Sequence, residues 1–317
     1  MTFSSELKNE LARLPVDSDL EIYEMMSFVR MSGEVYFSEG KPCEIVFFTP
    51  LSAIARRLTT FLRHIVKDAV EVSAKKSCAL KKANVYRVSI VGEKETRFLL
   101  EKTQFGDFPF SYRIPKMKDT DQVRAYLRAA FLAQGSVVSP EKGYHLEITG
   151  DSEEHFIGLV GLFEKFSITA KLTERRGKTV LYIKDSQLIS DSLNVFGAVL
   201  NLFRYEDIRT LKDFKNSINR KVNCDSVNAD KIIKTSIRQR QAIGVLEKSG
   251  VLNELSPSLR EAASLRVEFP ERSIAELAAL SNPPSAKQTM ARRLKKLEKL
   301  YCENQKNIYQ GEENFET

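Results

Sequence analysis

The side chains of this sequence that could carry chemistry fall into three groups. The most concentrated is a basic run near the C-terminus, AKQTMARRLKKLEKL at residues 286–300. Wound as a helix, it puts Met290, Leu294, Leu297 and Tyr301 on one stripe. Gln288, Arg292, Lys295 and Lys299 fall opposite, with Ser285, Thr289 and Lys296 beside them. An amide or a guanidinium on such a face matches the paired hydrogen-bonding groups on the edges of adenine and guanine. Gln288, Thr289 and Arg292 are therefore the candidates for reading bases. Lys287, Arg293, Lys295 and Lys296 are the candidates for holding phosphates, and Ser285 and Lys299 complete the DNA-facing set. A lysine-rich face that is merely solvated is the competing reading.

The second group is defined by what it lacks. Two apolar runs, MMSFVRMSG at 25–33 and LRAAFLAQG at 127–135, each end in a polar residue and a glycine. In one large class of DNA-cutting enzymes with similar runs a carboxylate stands before that glycine, where it holds divalent ions, which require anionic oxygen ligands. Ser32 and Gln134 stand there instead, and neither carries charge. Glu34 is a substitute on one side only, and on a strand it is expected to point elsewhere. The third group is dispersed: Cys43, Cys78, Cys224 and Cys302, with His64, His145 and His155, show no CxxC pair and no ligand cluster. A structural zinc site wants clustered ligands. No metal and no cofactor is expected, and the thiols read as reduced.

The elements that would position these residues repeat. After each apolar helix come two strand-like runs, at 34–37 and 44–49 and again at 136–139 and 144–149, joined by SEGKP and PEKG. Amphipathic helices follow at 51–66 and 152–166, then strand pairs at 70–74 with 85–91 and at 168–173 with 179–183. Helices at 93–101 and 186–200 close the copies. The order of helix, two strands, helix, two strands, helix thus recurs after about a hundred residues, the size of a small domain. The copies span about 19–102 and 121–200, within a domain of residues 1–205.

Beyond the repeat, residues 206–230 form a basic linker, interleaved with Asn216, Asn219, Asn223 and Asn228. Arg220, Lys221 and Lys234 are possible auxiliary phosphate contacts; a solvated helix is the plain alternative. An apolar stripe through Ile232, Ile233, Ile237, Ile243 and Leu246 opens an all-α domain at 231–305. Ser256 and Pro257 start a helix that Pro270 breaks. Ser273 caps a short helix with Glu276 three residues on, a capping box. After the turn SNPP, Ser285 is expected to cap the basic helix. A short helix, a tight turn and a basic helix read as a helix-turn-helix. Residues 306–317 read as a disordered tail.

At 317 residues the chain is long enough for two domains, and 42% hydrophobic content is enough for proper cores. Its net charge of +7 permits nucleic-acid binding without demonstrating it. No apolar run approaches the ~20 residues of a membrane span, and the N-terminus does not read as a signal peptide. A cytoplasmic, nucleoid-associated location is expected.

The repeated unit resembles the LAGLIDADG homing-endonuclease fold, in which two motif helices pack at a pseudo-two-fold axis and two four-stranded sheets form a saddle over DNA. The resemblance implies an α+β domain of duplicated αββαββα units. It implies that Gly33 and Gly135 allow close approach of the motif helices and a C-terminal turn. It also implies that Ser32 and Gln134 occupy lost acidic positions, so that no catalytic residue is assigned. The sheets would serve DNA unequally. The first hairpin offers mainly Glu34, Glu39, Lys41 and Glu44, and the second copy offers Lys171, Arg175, Arg176, Lys178 and Lys184. With NSINRKVNCDSVNADK at 216–231, LRAAFLAQGSV before YHLEI, and the segment 265–297, the whole chain is similar to the WhiA family of bacterial transcription regulators. Val227 departs from the family's usual alanine. That resemblance implies a sequence-specific DNA-binding regulator linked to cell division, chromosome segregation or, in some bacteria, sporulation. It also implies double-stranded DNA as partner, and in some settings the iron–sulfur protein WhiB. A maturase-like RNA-binding role or residual nuclease activity is the alternative reading, and a protein- or ligand-docking role for the repeat domain is a third.

Overall fold

The structure is a computed structural model and describes residues 2–76 and 84–313; Cys78 and residues 314–317 lie outside the described residues. The chain divides into two compact units, residues 1–213 and 214–317.

The first unit opens with α1 (Phe3–Leu11), whose Thr2 and Ser5 form a capping box. Then follow α2 (Ser18–Ser32), β1 (Glu34–Ser38), β2 (Lys41–Thr49), α3 (Ser52–Val66), β3 (Val70–Lys76), β4 (Asn84–Val91) and α4 (Glu93–Lys102). The second copy is α5 (Thr120–Gln134), β5 (Gly135–Val137), β6 (Leu146–Gly150), α6 (Glu153–Glu164), β7 (Lys171–Arg175), β8 (Lys178–Ile183) and α7 (Ser186–Phe196). The sheets have equivalent antiparallel orders, β1-β2-β4-β3 and β5-β6-β8-β7, so the duplication inferred from the sequence is a duplication of topology.

Period-two patterning sets the faces of each sheet. Ile45, Phe47, Val88 and Ile90 are buried, as are Leu146, Ile148, Leu181 and Ile183. Two-residue turns close the β1–β2 and β7–β8 hairpins. Glu39 and Gly40 take φ of 51° and 77°, and Arg176 and Gly177 take 56° and 73°. Two positive φ values in succession give a turn twist that matches paired strands.

Some boundaries differ from those read off the sequence. Ile168 is buried but belongs to no strand; its amide hydrogen-bonds to Phe163 O at 3.2 Å, closing the end of α6. The helix expected to run to residue 200 stops at Phe196, because Gly197 turns left-handed at φ 90°. Next begins α8 (Leu200–Lys248), which is helical through the whole of residues 206–230.

In the second unit α8 is followed by α9 (Pro257–Glu268), α10 (Ile274–Leu280) and α11 (Lys287–Glu313). The apolar stripe expected on α8 is only half buried. Ile243 and Leu246 lie in the core, but Ile233 and Ile237 stay half exposed, and Ser236, Gln239 and Ala242 complete the inward face. Residues 306–313, expected to be disordered, continue α11. No helix-breaking residue follows the basic run until Gly311. Among the described residues no helix is long and apolar enough to cross a membrane.

Candidate nucleic-acid interface

The helix-turn-helix is built from its caps outward. Ser273 Oγ accepts from Glu276 N at 3.3 Å, and the Glu276 carboxylate accepts from Ser273 N at 2.8 Å, so α10 starts at a closed capping box. Together with an ion pair to Arg272 at 2.7 Å, these bonds hold the Glu276 carboxyl down to about 2. At the other end the Ser281 hydroxyl donates to Ala278 O at 2.8 Å, and Ser285 N bonds to the same carbonyl at 2.9 Å. Ser285 therefore belongs to the turn. The expected capping position is taken by Ala286, whose carbonyl accepts from Thr289 N and Met290 N, and α11 begins at Lys287.

Met290, Leu294 and Leu297 are fully buried against Leu277 and Ala278 of α10, Leu259, Ala262 and Ala263 of α9, and Ile243 and Leu246 of α8. At roughly 1.5–3 kcal/mol for each large apolar side chain buried, this stripe settles which way α11 is turned. The opposite side is left to solvent: Lys287, Gln288, Arg292, Lys295, Lys296 and Lys299 are exposed, and Ser285 and Thr289 are half-buried. Two of the basic residues have partners. Arg293 is half-buried and reaches Glu261 of α9 at 3.5 Å, which withdraws it from the phosphate-facing set, and Lys299 pairs with Glu303 at 3.7 Å. On α8, Arg220, Lys221 and Lys234 are exposed. Arg266 carried no signal in the sequence, yet it is 1% exposed and donates to Arg272 O at 2.8 Å, tying α9 to the loop before α10.

In the first unit α2 and α5 pack along each other more extensively than any other pair of helices among the described residues. The glycines that end them are not left-handed; φ is −77° at Gly33 and −80° at Gly135. A Cβ at Gly33 would lie 2.7 Å from Val29 O, and one at Gly135 would lie 2.3 Å from Phe131 Cδ2. Glycine is thus required by the last turn of each helix itself, and not by close approach of the partner helix. Ser32 Oγ donates to Phe28 O at 3.2 Å, and Gln134 is exposed.

A feature the sequence did not signal joins the two copies. Glu24 of α2, wholly buried, accepts a bidentate pair from Arg57 of α3, both bonds 2.7 Å, and a third bond from Arg128 of α5 at 2.8 Å. Arg57 also bonds to Leu14 O, and Arg128 to Phe196 O.

The outer faces of the sheets differ in charge. By register, the first carries Glu34, Glu44 and Glu71 against Lys75 and Arg87, and Arg87 pairs with Glu44. The second carries Lys171, Arg175 and Lys178 against Glu147. Glu34 does not point away from the helix ends as expected. It lines one cavity with Ser32 and Gln134 and accepts from Tyr36 OH at 3.0 Å.

Comparison with known proteins agrees with this architecture. The WhiA N-terminal LAGLIDADG-like domain matches residues 18–105, the WhiA LAGLIDADG-like domain residues 123–215, and the WhiA C-terminal HTH domain residues 218–301. The chain is 36% identical over 308 residues to a probable cell division protein WhiA of Clostridium acetobutylicum, covering 95% of this chain and 97% of that protein. It is also 36% identical to one from Clostridium beijerinckii, with 95% and 98% covered. Among solved structures, the full-length DUF199/WhiA of Thermatoga maritima superposes with a TM-score of 0.58 at 26% identity, covering 95% of this chain and 98% of that one. With all three family domains matched in order along two units of the corresponding architecture, the chain belongs to the WhiA family.

Proposed function

We propose that the chain is a sequence-specific DNA-binding transcription regulator in which α11 enters the major groove and the repeat domain cuts nothing. The observation that carries this reading is the two-sidedness of α11. One side is locked into the core, and the other presents Gln288, Arg292, Lys295 and Lys296 to solvent. Helix-turn-helix proteins read bases with the N-terminal part of the second helix. Gln288, Thr289 and Arg292 therefore read bases, Lys287, Lys295, Lys296 and Lys299 hold phosphates, and Arg220, Lys221 and Lys234 add auxiliary contacts. The name carried by the Clostridium relatives supports a role in cell division. Control of chromosome segregation or sporulation, a WhiB-like partner and a nucleoid-associated cytoplasmic location extend the reading along the family resemblance.

Loss of cleavage is part of the proposal. The two helix-end positions are neutral, and the carboxylates that line the same cavity, Glu34 and Asp151, have Tyr36 OH and Lys178 as partners. Magnesium- or manganese-dependent nicking of plasmid by the pure protein, lost on substitution at these helix ends, would contradict it.

The test of the DNA reading is selection of bound sequences, followed by binding to the selected and a scrambled duplex at several salt concentrations. Arg292→Ala is expected to cost on the order of 1–3 kcal/mol and to relax preference at one base pair. Lys296→Ala should weaken all sequences alike and lower the salt slope by about one unit, since phosphates carry no sequence information. Leu294→Ala is the folding control, with an expected stability loss of roughly 2–5 kcal/mol. Equal losses on both duplexes for Arg292→Ala and Lys296→Ala, with folding intact, would overturn the assignment.

A further inference from the structure

The ends of α2 and α5 meet at a cavity of about 230 Å³. Its lining brings Arg30, Ser32 and Glu34 of the first copy together with Gln134, Asp151 and Lys178 of the second. Arg30 is 6% exposed, and among the described residues its hydrogen bonds all go to backbone carbonyls: Nε to Arg113 O at 3.1 Å, Nη1 to Met26 O at 3.0 Å and Thr103 O at 2.8 Å, and Nη2 to Gln104 O at 2.7 Å. Four of its five N–H groups are thereby used, and the fifth has no partner among the described residues. No carboxylate among the described residues lies within ion-pair distance of it. The contrast with Arg57 and Arg128 is direct, because both of those buried cations share Glu24. A buried charge without a counter-ion is costly, and an arriving anion relieves that cost.

The cavity's own anions do not relieve it. Asp151 is largely solvated and faces Lys178 at 3.6 Å, and Glu34 is exposed and held by Tyr36 OH. His155, which also lines the cavity, is held neutral by burial, its pKa pushed down to about 3. Carboxylates at positions 32 and 134 would need dications between themselves and a phosphoryl oxygen. A hydroxyl and an amide at those positions put no anionic charge in its way; the Ser32 hydroxyl already donates to Phe28 O, so the donor of the two is the Gln134 amide. A tetrahedral oxyanion accepts from several directions at once, which suits a cavity whose lining includes a guanidinium, an amide and an ammonium from different elements. The volume lies below the ~300–1,000 Å³ of sites for drug-sized ligands, so a single phosphoryl group with a small organic remainder is the size that fits.

We propose that this cavity is a metal-independent phosphate-group site, assembled from both copies of the repeat. The proposal goes beyond the reading of α11 as the DNA reader and does not depend on it. The phosphoryl group comes either from a small metabolite or from a nucleic-acid backbone, and the experiment separates the two.

The full chain is titrated with inorganic phosphate at constant ionic strength, with chloride as control, following the Arg30 Nε–H and Gln134 side-chain amide signals by NMR and the heat by calorimetry. Saturable binding that persists with chelator is expected. Gln134→Glu, at an exposed helix end, should weaken it about tenfold or more without lowering the melting temperature. Arg30→Lys should weaken it as well, but that variant also loses carbonyl contacts, so Gln134→Glu carries the test. Competition by adenosine monophosphate and not by a short duplex assigns a small ligand. Competition by the duplex, lost in Gln134→Glu, assigns a backbone phosphate. Phosphate affinity unchanged in Gln134→Glu, no saturable phosphate binding, or binding that appears only with magnesium overturns the proposal.

Discussion

Glu24 joins the two copies of the repeat through a buried carboxylate shared by Arg57 and Arg128. It is a carboxylate removed from water and compensated by two guanidiniums, one from its own copy and one from the other. Replacing one member of a buried ion group leaves the others unpaired, which costs far more than the group contributes against an apolar equivalent. Glu24→Gln should therefore lower stability by roughly 3–5 kcal/mol in denaturant unfolding, whereas Glu24→Gln with Arg128→Met should recover part of the loss. An additive double variant would mean that the contacts are independent. His155 supplies a pH dependence of definite sign. It is buried beside Tyr126, whose hydroxyl lies 2.8 Å from Nε2, and burial depresses its pKa from 6.5 to about 3. Between those values the unfolded chain binds the proton that the folded chain refuses, so stability is full above about pH 6.5 and falls as pH drops toward 3. Unfolding measured from pH 7 to 5 should show this slope, and His155→Gln should flatten it.

At the scale of elements, α8 begins where α1 tells it to. The Glu10 carboxylate accepts from Val199 N and Leu200 N, both at 2.7 Å, and from Asn201 N at 3.0 Å, so one side chain 189 residues upstream satisfies three N–H groups at the helix start. An anion at that end is also favoured by the helix dipole. Glu10→Ala should cost about 1 kcal/mol and speed amide exchange at residues 199–204 while leaving α11 untouched. Unchanged exchange there would show that packing of α8, and not this cap, holds its first turn. The capping box at Ser273 and Glu276 was legible from the spacing of two residues. The Glu10 cap was not, because its donor and acceptor are far apart in the chain.

For the molecule as a whole, the two units have separate cores. Residues 214–317 alone should therefore bind the selected sequence, more weakly than the full chain. Residues 1–213 alone should bind duplex DNA poorly at physiological salt, since the first sheet presents three acids and its Arg87 is paired. Finding the specific affinity in the first unit by band shift would reverse the division of labour proposed above.

Local regularities were enough to read the element order, the duplication and the two faces of α11. Alternation of two, helical spacing, turn residues and capping pairs all act within a few positions of one another. By itself the sequence determined that the helix ends at 32 and 134 carry no charge and that Met290, Leu294 and Leu297 face inward. What it left to the tertiary structure depends on residues distant in the chain. Burial beside α9 turned Arg293 from a free cation into the partner of Glu261. The packing of α2 on α5 made an internal ion group of Glu24, Arg57 and Arg128. The carbonyls of Thr103, Gln104 and Arg113 enclosed Arg30, with no counter-ion among the described residues. Charge type is a property of a residue, but whether that charge is solvated, paired or stranded is set by what the fold brings within a few ångströms of it.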